Sequence, residues 1–197
     1  MTRPRVGTQG FSLIIAMLML AVIGLASAAI MRNATSGDQV ANSNRLQTQA
    51  NQYAQLALRF CETQLALASG SRSVTLLPAA TPGAWSVQRN WTAAGTNSAH
   101  TLAAAEIGSA TQPRVAPQCL MEASEVPNVY TVTARGFSAD YRADPATGVT
   151  RSGSTVWLQA TIYATGAPGT ESAAGAASTG ALTVLQRQWQ QLLTPPF

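Results

Sequence analysis

The sequence predicts an α+β protein in which a long N-terminal α-helix, transmembrane at first and then a stalk, packs on an antiparallel β-sheet. Three observations predict it. Between Arg5 and Arg32 the chain carries no charged residue. From Arg32 to Ala68 it contains no proline, and apolar residues recur at helical spacing. Beyond Gly70, short runs rich in Val, Thr, Trp and Tyr alternate with turn residues, which is the pattern of strands.

The apolar run Phe11–Met31 is long enough to cross a hydrocarbon core of about 30 Å at about 1.5 Å per residue. A helix can cross alone because it satisfies its own backbone hydrogen bonds. Arg3 and Arg5 precede the run and place the N-terminus on the cytoplasmic side. Three readings of the segment compete. It can be a cleaved secretory signal ending at Ala26-Ser27-Ala28, or an uncleaved signal anchor. It can also follow a short basic leader, Met1 to Gly10, that is cut on the cytoplasmic side so that Phe11 begins the retained helix.

The domain organisation expected from this is a leader 1–10, a transmembrane helix 11–31, a periplasmic helix 32–69 and a β-rich domain 70–197. In the second helix the stripe Leu56, Phe60, Leu67 is the expected cover for the one apolar face of the sheet, and Gly70 the expected stop. Gly24 and Gly37 are the points where the long helix could bend. The strands expected are Trp85–Trp91, Gln118–Ala123, Val129–Phe137, Ser154–Thr165 and Thr183–Trp189. Asp144–Gly148 and Ser152-Gly153 carry turn signals. Asn90–Pro117 reads as an irregular insertion, and about 164–181, rich in Ala, Gly, Ser and Thr, as a flexible connection.

Composition narrows the chemistry. The net charge of +4 comes from scattered residues; all twelve basic residues are Arg, and no aromatic–basic interleaving marks a nucleic-acid surface. Without Lys, a phosphate-cradling loop of the Gly-Lys type is excluded. Gly136-Phe-Ser-Ala-Asp140 lacks the second Gly of a nucleophile elbow. Asp140 and Asp144 flank Arg142 as a loop charge group without the later Glu of a calcium loop. His100, the single histidine, reads as an exposed loop residue. The reading is therefore of a non-enzyme without cofactor, metal or nucleic-acid partner. Cys61 and Cys119 both fall outside the cytoplasm in this topology and are expected to pair, the alternative being two free buried thiols. A bridge would tie helix to sheet and close a loop of about 59 residues, worth roughly 4 kcal/mol.

Gly10-Phe11-Ser12-Leu13-Ile14 resembles the prepilin cleavage signal of type IV pilins. With the helix running into Met31-Arg32-Asn33, Cys119-Leu-Met-Glu122, Tyr130–Phe137 and Val156–Thr161, the chain resembles the minor pilins of the PilX family, outside Asn90–Pro117 and Ala164–Ala181. The resemblance implies cleavage after Gly10 by prepilin peptidase and N-methylation of Phe11. It also implies residence in the bacterial inner membrane and assembly with other minor pilins and the major pilin at the pilus tip. One position departs: major pilins carry Glu at the fifth residue after the cut, and here it is Ile15. A chain with Ile15 cannot supply that carboxylate to a neighbour's amino terminus, which favours a rare position over the fibre shaft. Gly24 and Ala28, with Ala26 and Ser27, offer a small-residue surface for helix packing. A minor pseudopilin of a type II secretion system is the nearest alternative, and a membrane-anchored binding module unrelated to fibres the second.

Overall fold

A computed structural model of the protein describes residues 9–92, 97–108, 113–144, 150–165 and 182–194, with the backbone alone at 9–12, 28, 29 and 32–35. The chain divides into two compact units, Met1–Asn44 and Arg45–Phe197. Helix α1, Gln9–Ala66, supplies the described part of the first and opens the second. Its α-helical backbone continues through Gly24 and Gly37.

The second unit is α+β. After α1 come β1 (Leu76–Leu77), helix α2 (Arg89–Thr92), β2 (His100–Thr101), α3 (Ala104–Ile107), β3 (Gln118–Ala123), β4 (Val129–Phe137), β5 (Arg142–Ala143), β6 (Thr150–Ser152), β7 (Thr155–Thr165) and β8 (Thr183–Leu192). The main sheet has the order β1-β3-β4-β7-β8, and β2 pairs with β3 beyond β1 on the same edge. The strands β3, β4 and β7 sit where alternation predicts them, and their antiparallel registers run from Gln118↔Arg135 to Val129↔Tyr163. The sheet is not wholly antiparallel, however: β1 pairs parallel with β3, Leu76 opposite Met121. A two-residue strand joined to the sheet by a long excursion leaves no alternation to read, so its direction is decided by where the excursion returns.

The face of α1 that meets the sheet differs from the expected one. Ala50, Ala54, Ala57, Leu58, Cys61 and Leu65 are buried, while Leu56 and Phe60 are partly buried and Leu67 is exposed. The cause is a close approach of backbones. A Cβ added at Gly136 on β4 would lie 2.9 Å from Ala54 Cα, with the Ala50 carbonyl oxygen and Ala54 nitrogen nearer still. Only small residues on the helix and none on the strand allow that approach, so alanines, not the larger apolar residues, line the contact.

The helix also ends earlier than Gly70. Its last residue is Ala66, and Ser69–Ser71 form a separate 3-10 turn. The terminal carbonyls are satisfied by Arg72, whose Nε donates to Leu67 O (2.8 Å) and Nη2 to Leu65 O (3.0 Å). The Gln64 side chain accepts from Ser73 N at 2.8 Å. Side chains thus do the capping that a left-handed glycine would otherwise do.

Both faces of the sheet are covered at its centre, where one was expected. The helix face of β4 and β7 contributes Val132, Ala134, Leu158, Ala160 and Ile162 to the main core. On the other face a second cluster joins Leu77, Ala84, Trp91, Ala99, Leu120 and Trp157. Trp85–Trp91 does not form the expected strand; it coils as a 3-10 turn, Ala84–Ser86, and α2. Two side chains fold it onto itself: Trp91 Nε1 donates to Trp85 O and Asn90 Nδ2 to Ala84 O, both at 2.8 Å. In the β4–β7 connection Gly153 has φ +82°, and a Cβ there would lie 2.6 Å from Tyr141 Cα. Asp144 pairs with Arg151 in this connection. The rest of the expected Asp144–Gly148 turn, and 166–181 of the expected flexible connection, lie outside the described residues.

Candidate functional site

Every large apolar side chain described between Leu13 and Leu25 is exposed, from 40% at Ile15 to 74% at Leu25. Successive residues turn by about 100° around the axis, so the helix is apolar on all sides. The backbone of Gly10, Phe11 and Ala28 is helical; the side chains of Phe11 and Ala28 lie outside the described residues, as does the leader through residue 8. A Cβ at Gly24 would meet nothing within 4 Å. Among the described residues no helix is long and apolar enough to cross a membrane.

In the second unit, Cys61 of α1 and Cys119 of β3 form the expected disulfide, with Cα atoms 6.2 Å apart and neither residue exposed. The bond crosses from the helix to the sheet. Beside it, β2 brings His100 opposite Cys119. His100 is thus a strand residue about a quarter exposed and not the free loop residue expected. Its ring stacks on Phe60 (centroids 5.4 Å apart, 15° between planes), and Nε2 lies 2.9 Å from Glu106 Oε2. That carboxylate oxygen also accepts from Ala103 N at 2.7 Å, which turns it toward the imidazole.

Arg135 organises the opposite face, and sequence reasoning passed over it. It is 7% exposed on β4. Its Nε donates to Gln118 Oε1 and its Nη2 to Trp91 O, both at 2.6 Å. Cζ stands 5.1–5.3 Å from the ring centroids of Trp91, Phe137 and Trp157. Burial pushes its pKa down to about 10, which leaves it a cation at neutral pH. The three ring faces and the two hydrogen bonds that it donates offset part of the desolvation. The readable signal was a lone charge inside an apolar strand, flanked by Ala134 and Gly136.

No protein-family model matches the chain, and neither a curated protein nor a solved structure matches it. Among the described residues no group of three His, Cys, Asp or Glu could hold a metal ion. A hollow of about 290 Å³ lies between α1 and β8, where Arg187 Nη1 donates to Glu62 Oε2 at 2.7 Å. Its floor is Leu158 and its rim Trp189, which suits contact with another surface better than enclosure of a small molecule.

Proposed function

We propose that the protein is a minor pilin: an assembly subunit that primes or caps a type IV pilus from the bacterial inner membrane, with its disulfide-tied α+β unit in the periplasm. One observation carries the reading. A helical stretch whose large apolar side chains, Leu13 to Leu25, are exposed on all sides needs lipid or other helices around it. Continued by Phe11 and Ser12 before it and by the uncharged residues through Met31 after it, the run has the length of a membrane span. The Gly10–Phe11 junction at its head supports cleavage by prepilin peptidase and methylation of Phe11.

In this reading the helix joins the subunit to other minor pilins and the major pilin, first in the bilayer and then in the fibre. Ile15 leaves the neighbour's amino terminus without a carboxylate, so the subunit suits an end of the fibre. The Cys61–Cys119 bond would carry force from the helix into the sheet covalently. Intact-mass analysis of membrane-extracted protein, from cells with and without prepilin peptidase, tests the proposal. The expected mature chain begins at methylated Phe11 only when the peptidase is present. A mature chain beginning at Met1 or after Ala28 in both strains refutes it.

A further inference from the structure

On the proposed reading the subunit waits in the membrane before it assembles, and the far edge of its sheet is open. Strand β8 is ten residues long and ends the sheet, and among the described residues nothing pairs with its outer edge. Edge strands are normally blunted by Lys, Pro, bulges, inward charges or shortness. Thr183–Leu192 contains neither Lys nor Pro. Its single charge, Arg187, is paired to Glu62 on the helix side. The one register shift lies at its start, opposite Tyr163/Ala164, and leaves Gln186–Leu192 regular.

We propose that β8 is a dimerisation edge, on which a second copy of the same chain adds its own β8 antiparallel about a two-fold axis through Gln188. The reason is the self-complementarity of the sequence about that residue. In this register Gln188 meets itself, Gln186 meets Gln190, and Arg187 meets Trp189. Arg187 and Trp189 both line the hollow beside α1, so they lie on one face of the strand. Each would find the other's counterpart directly across the new ladder, a cation–π pair formed twice. Trp189, 61% exposed, would be covered by this contact.

The other face extends an existing polar chain. Gln159 Nε2 donates to Thr133 Oγ1 at 3.1 Å, and Gln190 Nε2 donates to Gln159 Oε1 at 3.2 Å. This ladder crosses β4, β7 and β8 and reaches the open edge. The second copy would continue it through its own Gln186, Gln188 and Gln190, so both strands keep their amides paired. No charge of like sign is brought face to face in this register, since Arg187 stands opposite an indole. A one-residue slip would place Arg187 against Gln188 or Gln190 and would break both sets of pairs.

Single-cysteine variants of the full chain in detergent micelles test the proposal, because Cys61 and Cys119 are already bonded to each other. A short bifunctional maleimide should link Gln188→Cys into a dimer at least about tenfold faster than Val126→Cys, an exposed control at the β3–β4 turn. Gln186→Cys and Gln190→Cys should each link poorly alone, since identical positions lie about 13 Å apart along the strand. Mixed together they should link efficiently, and adding Gln188→Lys to both should suppress that link through like charge. Equal rates for Gln188→Cys and Val126→Cys overturn the proposal. So does Gln186→Cys linking to itself as fast as to Gln190→Cys, which would place the contact at another surface, the apolar helix included.

Discussion

The close approach at Gly136 gives the sharpest stability prediction. In Gly136→Ala the new Cβ would sit 2.9 Å from Ala54 Cα, and closer to the Ala50 carbonyl oxygen and Ala54 nitrogen. All three are backbone atoms of α1, so no side chain can rotate away. The helix has to retreat from β4 by about 1 Å before ordinary contact distances return, and buried Ala50, Ala54 and Ala57 then lose packing together. Overpacking by a single methyl costs about 1–3 kcal/mol where side chains can adjust; here the adjustment is a rigid shift, so about 3 kcal/mol is expected. For a unit of this size that lowers Tm by about 6–12 °C. Thermal and urea unfolding followed by near-ultraviolet circular dichroism measure it. Because the obstruction is backbone, Ala54→Gly should not rescue the variant and should add roughly 1 kcal/mol of helix cost. A Gly136→Ala change within about 0.5 kcal/mol of wild type refutes the argument, as does rescue by Ala54→Gly.

Other outcomes follow from the same structure. Cys119→Ser should destabilise the second unit by roughly 4 kcal/mol, seen as a lower urea midpoint and as Cys61 becoming alkylatable only on unfolding; reduction of wild type should match it. Arg135→Met should cost about 2 kcal/mol, because Trp91 O and Gln118 Oε1 lose buried donors, and the near-ultraviolet signal of the Trp91–Trp157 pair should fall. On the proposed function, Gly24→Leu should weaken cross-linking to other pilins in membranes while the second unit melts unchanged, since nothing in this chain lies within 4 Å of the added Cβ.

The strands β3, β4 and β7, the start of β8 and the helix through Ala66 were legible in the sequence because each is encoded by spacing within itself. Period two along Val129–Phe137 and Thr155–Thr165 survives any tertiary context that buries at least one face. The Cys61–Cys119 pair was legible from topology and count. Which face of α1 meets the sheet was not, because the deciding residue, Gly136, lies far along the chain and selects alanines over the larger Leu56 and Leu67. The coil at Trp85–Trp91 was misread for a similar reason: aromatic residues favour strands locally, but Trp91 is held by Trp157 and Arg135 from other strands. The sequence by itself determined the local periodicities, the apolar N-terminal run and the covalent tie. Only the tertiary structure decided the parallel β1, the capping by Arg72, the buried Arg135 and the open edge at β8, because each depends on contacts between residues that no local pattern links.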